Sequence, residues 1–254
     1  MHWYVIINQM TEVSGLSIFW IKIIAALTMV IDHAAAVGQF TGWEICRMIG
    51  RVSFPLYAFM LVQGFLHTRS RWRYLLQLLA LALLSQPIYT YCFNGVWWKW
   101  DHLNILFTLA ASLGAMWLLD LGKREAQRRK GAWWLWALLL CAACCGTVFA
   151  GEFLGVDYGW EGMVLILMLY VFATTRWAWC PITVLFALRN QLLTGAWDEP
   201  VYQRGIFAAV AFIPMAFYNG KPGPKPKNKV LAAALKYGFY VFYPLHLLVL
   251  AVVF

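Results

Sequence analysis

The sequence predicts an all-α fold, a polytopic bundle of about nine transmembrane helices in one integral membrane domain covering residues 1–254. Two observations carry this prediction. The mean hydropathy is +0.66, and 63% of the residues are hydrophobic against 12% that are charged. A water-soluble domain of this length cannot bury so much apolar surface. The apolar residues also form successive runs close to the length that crosses a bilayer, about 20 residues.

The predicted spans alternate with polar or charged stretches. In order, they are residues 17–37, 48–66, 74–92, 103–120, 132–150, 159–174, 177–194, 205–219 and 237–254. The sixth and seventh are short enough to form a re-entrant pair instead. Residues 34–36, Ala-Ala-Ala, resemble a signal-peptidase site, but the segment before the apolar run lacks basic residues and Asp32-His33 would interrupt that run. We therefore expect the first span to be retained.

Lysine and arginine predict that the N-terminus lies inside and the C-terminus outside, because cytoplasmic loops hold these residues in excess. With this topology, fifteen of the twenty basic residues are cytoplasmic. They lie in the loops 67–73, 123–130, 174–177 and 221–229, with Lys22 and Lys236 at span ends. The net charge of +9 is thus spread along the membrane, so the expected partner is the lipid bilayer and not nucleic acid.

Cysteine gives no indication of a site. Cys141, Cys144 and Cys145 fall in the fifth predicted span and Cys180 in the seventh, with no histidine at a ligand spacing. We expect neither a bound metal nor a disulfide framework.

A few polar residues lie inside the predicted spans or at their outer boundary. Each is unfavourable in lipid, so each is a functional hypothesis. Inside the spans they are Asp32, His33, Arg51 and His246, and near the boundary they are Arg47, Asp101, His102, Asn104, Asp157, Glu161 and Arg189. The predicted topology places all of them on one side.

Helix geometry separates Asp32 from His33, because consecutive side chains point about 100° apart. Arg51 is the best candidate to balance Asp32, since an unpaired carboxylate in lipid would take up a proton. His33 is then available for chemistry, or for His246 and a substrate. The alternative is structural, with Asp32 and Arg51 as an ion pair that fixes packing and His246 bonded to a backbone carbonyl beside Pro244.

Lys22 precedes His33 by eleven residues, which places it within about 20° of the same helix face and about 16 Å nearer the cytoplasm. A cation at the inner end and an imidazole deep inside suit a long anionic ligand that enters from the cytoplasm.

Five segments resemble one known family. They are IIAALTMVIDH (23–33), GRVSFPLYAF (50–59), NILF (104–107), the Asp157-Tyr-Gly turn before GMVLIL, and YVFYPLHLLVLAVVF (240–254). Together they resemble the TraX family of conjugal pilin acetyltransferases, from about residue 18 to the C-terminus. Asp157, followed by Trp160 and Glu161, stands where a small polar residue occurs in the family, so the acceptor-facing surface is expected to differ.

The resemblance implies an acyltransferase of the inner membrane. It would move an acetyl group from cytoplasmic acetyl-CoA to an amine or hydroxyl of a peptide or glycan, such as a pilin N-terminus. Acyl transfer needs a base, and donors or positive charge for the oxyanion. We expect His33 to be the base, with Asp32 and Arg51 beside it, Arg51 or Asn104 on the carbonyl oxygen, and His246 as a proton carrier.

The other expected contacts follow from the same resemblance. The CoA phosphates would meet Lys22, Arg69, Arg71 and Arg73 at the cytoplasmic mouth. The acceptor would meet Arg47, Asp101, His102, Asp157, Tyr158 and Glu161 on the outer side.

Two other functions stay open. A proton-coupled transporter would relay protons through Asp32, His33 and His246, but no internal repeat is evident. A non-catalytic assembly factor for a pilus or envelope complex would not depend on the chemistry of these residues.

Overall fold

The computed structural model describes residues 15–38, 42–99, 101–128, 133–153, 155–224 and 226–254. Within these ranges the chain is helical, and β pairing is limited to two isolated bridges, Leu16 with Tyr218 and Leu103 with Val156. The predicted all-α class is confirmed.

Eleven α-helices and one 3-10 segment follow one another in the described part of the chain. The helices are α1 (Ile18–Gly38), α2 (Trp43–Gly50), α3 (Ser53–His67), α4 (Arg71–Asn94), α5 (Ile105–Arg128), α6 (Trp133–Phe153), α7 (Gly159–Val171), α8 (Arg176–Thr194), α9 (Pro200–Ile206), α10 (Phe212–Ala216) and α11 (Lys229–Val253). The 3-10 segment, Phe207–Ala211, joins α9 to α10.

Several of these helices have the length and composition of membrane spans. Four segments of the described chain qualify on both counts, namely Ile18–Gly38, Trp43–His67, Arg71–Asn94 and Ile105–Arg128. Shorter apolar helices cover Trp133–Phe149, Gly159–Val171 and Tyr237–Val253. The protein is therefore a helical membrane protein, whereas the count of nine spans and the orientation stay predictions.

The eighth predicted span, 205–219, is not one continuous α-helix. Its chain passes from α9 through the 3-10 segment into α10. Pro214 has no backbone N–H, so the carbonyl of Val210, four residues earlier, loses its α-helical donor, which favours the tighter 3-10 turns.

Two other boundaries also differ from the prediction. The second span, 48–66, contains the end of α2 and most of α3, with Arg51 and Val52 in a turn between them. Pro55 lies in the first turn of α3, where a missing N–H is tolerated. The ninth predicted span corresponds to α11, which begins at Lys229 instead of residue 237. The Ala- and Leu-rich stretch 231–235 favours this earlier start of the helix.

The chain divides into two compact units. The first comprises Met1–Met60 and Thr174–Gly238, and the second comprises Leu61–Ala173 and Phe239–Phe254.

In the first unit, α1 packs against α2, and α8 packs against α9, α10 and the 3-10 segment. The ring of Phe59, 1% exposed, meets Trp179 edge-on at 5.0 Å and Tyr218 edge-on at 5.3 Å between centroids. These contacts join α3 to α8 and to the turn after α10.

In the second unit, α5 packs against α4, α6 and α7, and α6 packs against α7. Leu113 and Met116 of α5 and Ile166 of α7 have no exposed surface. This packing fixes the two ends of α5, each of which carries polar side chains described below.

Candidate functional site

The carboxylate of Asp32 is held by two arginines, Arg47 in α2 and Arg51 in the turn that follows α2. Asp32 is 8% exposed. Arg47 Nη1 donates to Oδ2 at 2.8 Å and to the Asp32 carbonyl at 3.3 Å. Arg51 Nη2 donates to Oδ1 at 3.0 Å and to Oδ2 at 3.4 Å. The predicted pairing of Asp32 with Arg51 is confirmed. Arg47, which we expected to meet the acceptor, contacts the same carboxylate.

The two arginines act together because α2 is short and its spacing is regular. Arg47 and the C-cap residue Arg51 are four residues apart, and Arg51 keeps helical backbone angles (φ −60°, ψ −20°), so both lie on one face. Arg51 Nε also donates to the Arg47 carbonyl at 3.4 Å. This i, i+4 spacing is the signal in the sequence that identifies Arg47 as a second partner.

Gly50 allows α2 to approach Asp32. It is buried, and a Cβ placed on it would lie 2.2 Å from Asp32 Cβ and 2.3 Å from Oδ1. Any larger residue would therefore separate the two helices. We did not identify this role in the sequence, although Gly50 begins the GRVSFPL motif.

His33 and Lys22 lie on α1 with Asp32, and both are partly buried. The first unit thus contains Lys22, Asp32, His33, Arg47 and Arg51. Arg189 also lies in the first unit, whereas the other predicted site residues belong to the second.

Asn104 lies in a hydrogen-bond network that organises the turn before α5. It has no exposed surface. Its Nδ2 donates to the Ala82 carbonyl at 2.9 Å and to Gln86 Oε1 at 2.9 Å, and its Oδ1 accepts from Leu106 N at 3.0 Å. The last bond caps the start of α5. This geometry fits a structural role, and a part in the chemistry stays a prediction.

Gln86 completes this network and was not singled out from the sequence. Its Nε2 donates to the carbonyls of Lys99 at 3.1 Å and His102 at 2.7 Å. It has no exposed surface, so it fixes the loop that leads into α5. A glutamine inside an apolar span is the signal that marks it.

His246 is 7% exposed and bonds through Nδ1 to the Phe242 carbonyl at 3.0 Å. A carbonyl can only accept, so Nδ1 carries the proton. The ring stacks on Phe242 with centroids 5.1 Å apart and meets Tyr243 edge-on at 5.6 Å. The bond to a carbonyl beside Pro244, the structural alternative, is present.

Two loops with predicted acceptor residues are joined by a short backbone bridge. Leu103 N donates to the Gly155 carbonyl at 3.1 Å, and Asp157 N donates to the Leu103 carbonyl at 3.0 Å. Thr108 Oγ1 also donates to the Asp157 carbonyl at 2.5 Å. A Cβ on Gly155 would lie 2.3 Å from the Asp101 carbonyl oxygen.

This bridge determines where the acceptor candidates lie. Asp101 and His102 are exposed on one loop, and Asp157 and Tyr158 are partly buried on the other. Glu161 is partly buried in the first turn of α7. Tyr158 has a φ of 60°, which is unusual for a residue other than glycine.

Asp101 pairs with a lysine of the same loop. Lys99 Nζ lies 3.1 Å from its Oδ2. Desolvation raises the pKa of Asp101, but the hydrogen bond and charge of Lys99 outweigh it, and the pKa lies below its ordinary value.

Arg69 and Arg71 line a pocket of about 310 Å³ at the start of α4, beside the end of α5. We call it the Arg-Trp pocket. Its lining also includes Ser70, Trp72, Trp117 and Arg124. Arg73, another predicted CoA contact, is not among the lining residues.

Asp120 anchors two of these arginines. Its Oδ2 lies 2.5 Å from Arg71 Nη1 and 2.7 Å from Arg124 Nε. Tyr170 donates to its Oδ1 at 3.4 Å, and the Arg71 guanidinium lies over the Phe65 ring, 4.5 Å from its centroid. Arg71 is thus fixed on several sides.

Among the described residues, no group of three or more His, Cys, Asp or Glu side chains could hold a metal ion. The described cysteines are free thiols.

The described fold and clusters define a class, an α-helical membrane protein whose helix α1 carries a buried aspartate bound to two arginines. A profile described as TraX protein matches residues 17–254, and the chain belongs to the TraX family. The resemblance stated above is thereby confirmed. A curated relative is the probable fimbrial assembly protein FimC, serogroup H1, of Dichelobacter nodosus. It is 28% identical over an alignment 258 residues long, and the alignment covers 92% of this chain and 94% of the relative. No solved structure matches the chain.

Proposed function

We propose that the protein is an acetyltransferase of the inner membrane that transfers an acetyl group from acetyl-CoA to an amine or hydroxyl acceptor, a pilin N-terminus or an envelope glycan. The observation that best supports this is the arrangement around Asp32, next to His33, on a helix apolar and long enough to span a membrane. Charged groups in lipid are unfavourable, and they mark functional sites more often than packing sites.

The proposed reaction joins the acceptor to the acetyl carbon. A base removes the proton of the acceptor, whose nitrogen or oxygen attacks the thioester carbonyl. The C–S bond then breaks, and CoA leaves as a thiolate. The base returns the proton to this sulfur, which gives the CoA thiol. His33 is the proposed base, because a neutral imidazole has a pKa suited to this exchange.

Asp32 and its arginines prepare the surroundings of that base. The two guanidinium groups bind the carboxylate of Asp32, so its oxygens accept hydrogen bonds from the arginines and the proton of the acceptor is left to His33. Two arginines around one carboxylate give the cluster a net positive formal charge, and positive charge stabilises the oxyanion of an acyl-transfer intermediate.

The remaining predicted residues have supporting roles in this proposal. Lys22, on the same helix, would attract the phosphates of CoA from the cytoplasmic side. The bridged loops that carry Asp101 and Asp157 would face the acceptor on the outer side. His246 would carry protons in the second unit, and the labelling assay below, applied to His246→Ala, tests that role.

The test uses inside-out membrane vesicles that contain the protein and radioactive acetyl-CoA. We expect transfer of label to an acceptor by the wild type and none by His33→Ala. The matched control is His67→Ala, because His67 is exposed at the end of α3 and bonds only a carbonyl of its own helix among its described hydrogen bonds. Full labelling by His33→Ala would overturn the catalytic assignment.

Asp32→Asn tests the cluster separately. It keeps the shape of the side chain and removes the charge that binds two arginines. We expect labelling to fall at least tenfold, the equivalent of about 1.4 kcal/mol in the barrier. Asp198→Asn is the matched control, since it removes a carboxylate charge from an exposed position of the same unit.

A second candidate is a non-catalytic factor in fimbrial assembly, which the name of the Dichelobacter nodosus relative favours. It predicts that pili still assemble normally when His33 is alanine and Asp32 is asparagine. Pilus counts by electron microscopy are therefore compared for the two variants and for cells without the gene. Loss of pili only when the gene is absent, with no acetyl transfer detected, favours the assembly factor, because that role does not require the imidazole.

A further inference from the structure

We propose that the Arg-Trp pocket binds the phosphorylated nucleotide end of the acyl donor, with the purine ring on tryptophan and the phosphates on arginine. The chemical class of ligand follows from the pocket itself. Its name as CoA rests on the proposed acetyltransferase function.

The charges of the pocket suit phosphate. Three arginines line it, Arg69, Arg71 and Arg124, and no acidic side chain is among its described lining residues. Asp120 holds both Arg71, whose side chain is 19% exposed, and the Nε of Arg124, whose side chain is 61% exposed. Arg69 is also exposed. Arg71 forms the wall of the pocket. The exposed Arg69 and the exposed Nη groups of Arg124 can bind a phosphate through paired N–H donors.

The start of α4 adds to this preference for an anion. Ser70 accepts a hydrogen bond from Arg73 N at 3.4 Å and caps the helix. The N-terminal end of a long helix carries partial positive charge, which favours phosphate nearby.

The tryptophans supply the second half of the recognition. Trp72 is 56% exposed, and its ring lies 6.3 Å from that of Trp117, with the planes at 53°. Both tryptophans line the pocket, and the exposed ring of Trp72 is available to stack on a planar base. A lipid headgroup brings phosphate without a planar ring, so this pair favours a nucleotide over a phospholipid.

The size of the pocket limits which part of the donor it holds. About 310 Å³ is near the lower end of ligand pockets, which run from about 300 to 1,000 Å³. It suits a nucleotide head and not a whole CoA molecule. The pantetheine arm, of order 15–20 Å when extended, would leave the pocket and carry the thioester away from it.

The experiment measures binding of radioactive CoA to the purified full-length protein in detergent. Adenosine 3′,5′-bisphosphate should displace CoA, and pantetheine should not. Arg69→Ala, Arg124→Ala and Trp72→Leu should each weaken CoA binding about tenfold. The matched controls, Arg128→Ala and Trp133→Leu, change exposed residues outside the pocket and should bind as the wild type does.

The outcomes separate this inference from the proposed function. CoA binding that is lost in the pocket variants but kept in His33→Ala supports the pocket, whether or not acetyl transfer is detected. Unchanged CoA binding in all three pocket variants overturns it, even if the protein is an acetyltransferase. Displacement of CoA by phosphatidylglycerol micelles but not by the bisphosphate also overturns it, because the pocket then recognises a lipid phosphate.

The exposed positions of these residues keep the test interpretable. Each variant is compared with wild type for thermal unfolding before binding is measured. Arg124→Lys retains the charge but not the paired donors, so it should bind CoA more weakly than wild type and more tightly than Arg124→Ala. Equal binding by the lysine and alanine variants would contradict the role of charge at this position.

Discussion

Replacing Gly50 with alanine adds one methyl group where α2 contacts α1. The new Cβ would lie 2.2 Å from Asp32 Cβ, whereas ordinary contact begins near 3.4 Å. The helices must therefore separate by about 1.2 Å, the difference between these distances. If α2 moves as a body, the bonds from Arg47 and Arg51 to Asp32, at 2.8 and 3.0 Å, lengthen to about 4.0 and 4.2 Å, beyond hydrogen-bond reach.

The energetic consequence follows from the burial of Asp32. Separating a buried charge from its partners costs about 3–5 kcal/mol. For a chain of this size, 3 kcal/mol lowers the melting temperature by about 6–12 °C. We expect the melting temperature of Gly50→Ala to lie at least about 6 °C below that of the wild type. We also expect the variant to lose most acetyl transfer.

The assay is thermal unfolding of the purified protein in detergent, followed by the vesicle labelling described above. Gly114→Ala is the matched control, because Gly114 is inside a helix and a Cβ there meets nothing within 4 Å. Alanine should raise helix stability at that position by about 0.5–1 kcal/mol. If Gly50→Ala has the same melting temperature as Gly114→Ala and transfers label at the wild-type level, the close approach of α2 to Asp32 does not hold the cluster together.

Two further variants test the second unit. Asn104→Ala removes an amide with three internal hydrogen bonds and should lower the free energy of unfolding by about 2–4 kcal/mol. The control Asn190→Ala, at a partly buried position, should change it by less than about 1 kcal/mol. Equal losses of the two variants in chemical denaturation would refute the network. Gly155→Ala and Gly159→Ala replace glycines with φ of +56° and +52°, so both carry the same backbone strain, but only Gly155 also meets the Asp101 carbonyl. The Gly155 variant should be less stable by about a further 1–3 kcal/mol, and no difference between the two would contradict the loop bridge.

The arrangement at Asp32 was predictable in part. A carboxylate inside an apolar helix requires a cation, and Arg51 was the nearest candidate at a suitable predicted depth, so the pair follows from electrostatics alone. The predicted second span begins at residue 48, so Arg47 falls outside it, and its i, i+4 relation to Arg51 is not evident from the predicted spans. The role of Gly50 depends on the approach of two helices, which no pattern within one helix reveals.

The second unit shows a different limit. Trp72 and Trp117 have a general explanation at a membrane interface, so sequence patterns do not distinguish a binding surface from an anchor. Their proximity arises from the packing of α4 against α5. The sequence predicts a reactive role for Asn104, which stays a prediction, and it does not reveal the hydrogen bonds that the folded loop supplies to the amide.

The measurement that tests the central claim most directly is mass spectrometry of envelope proteins and glycans from cells with and without the gene. The account predicts one species that gains a single acetyl group when the gene is present, that loses it with His33→Ala and that keeps it with His67→Ala. An envelope whose masses do not change with the gene, or an acetyl group still added by His33→Ala, would contradict it.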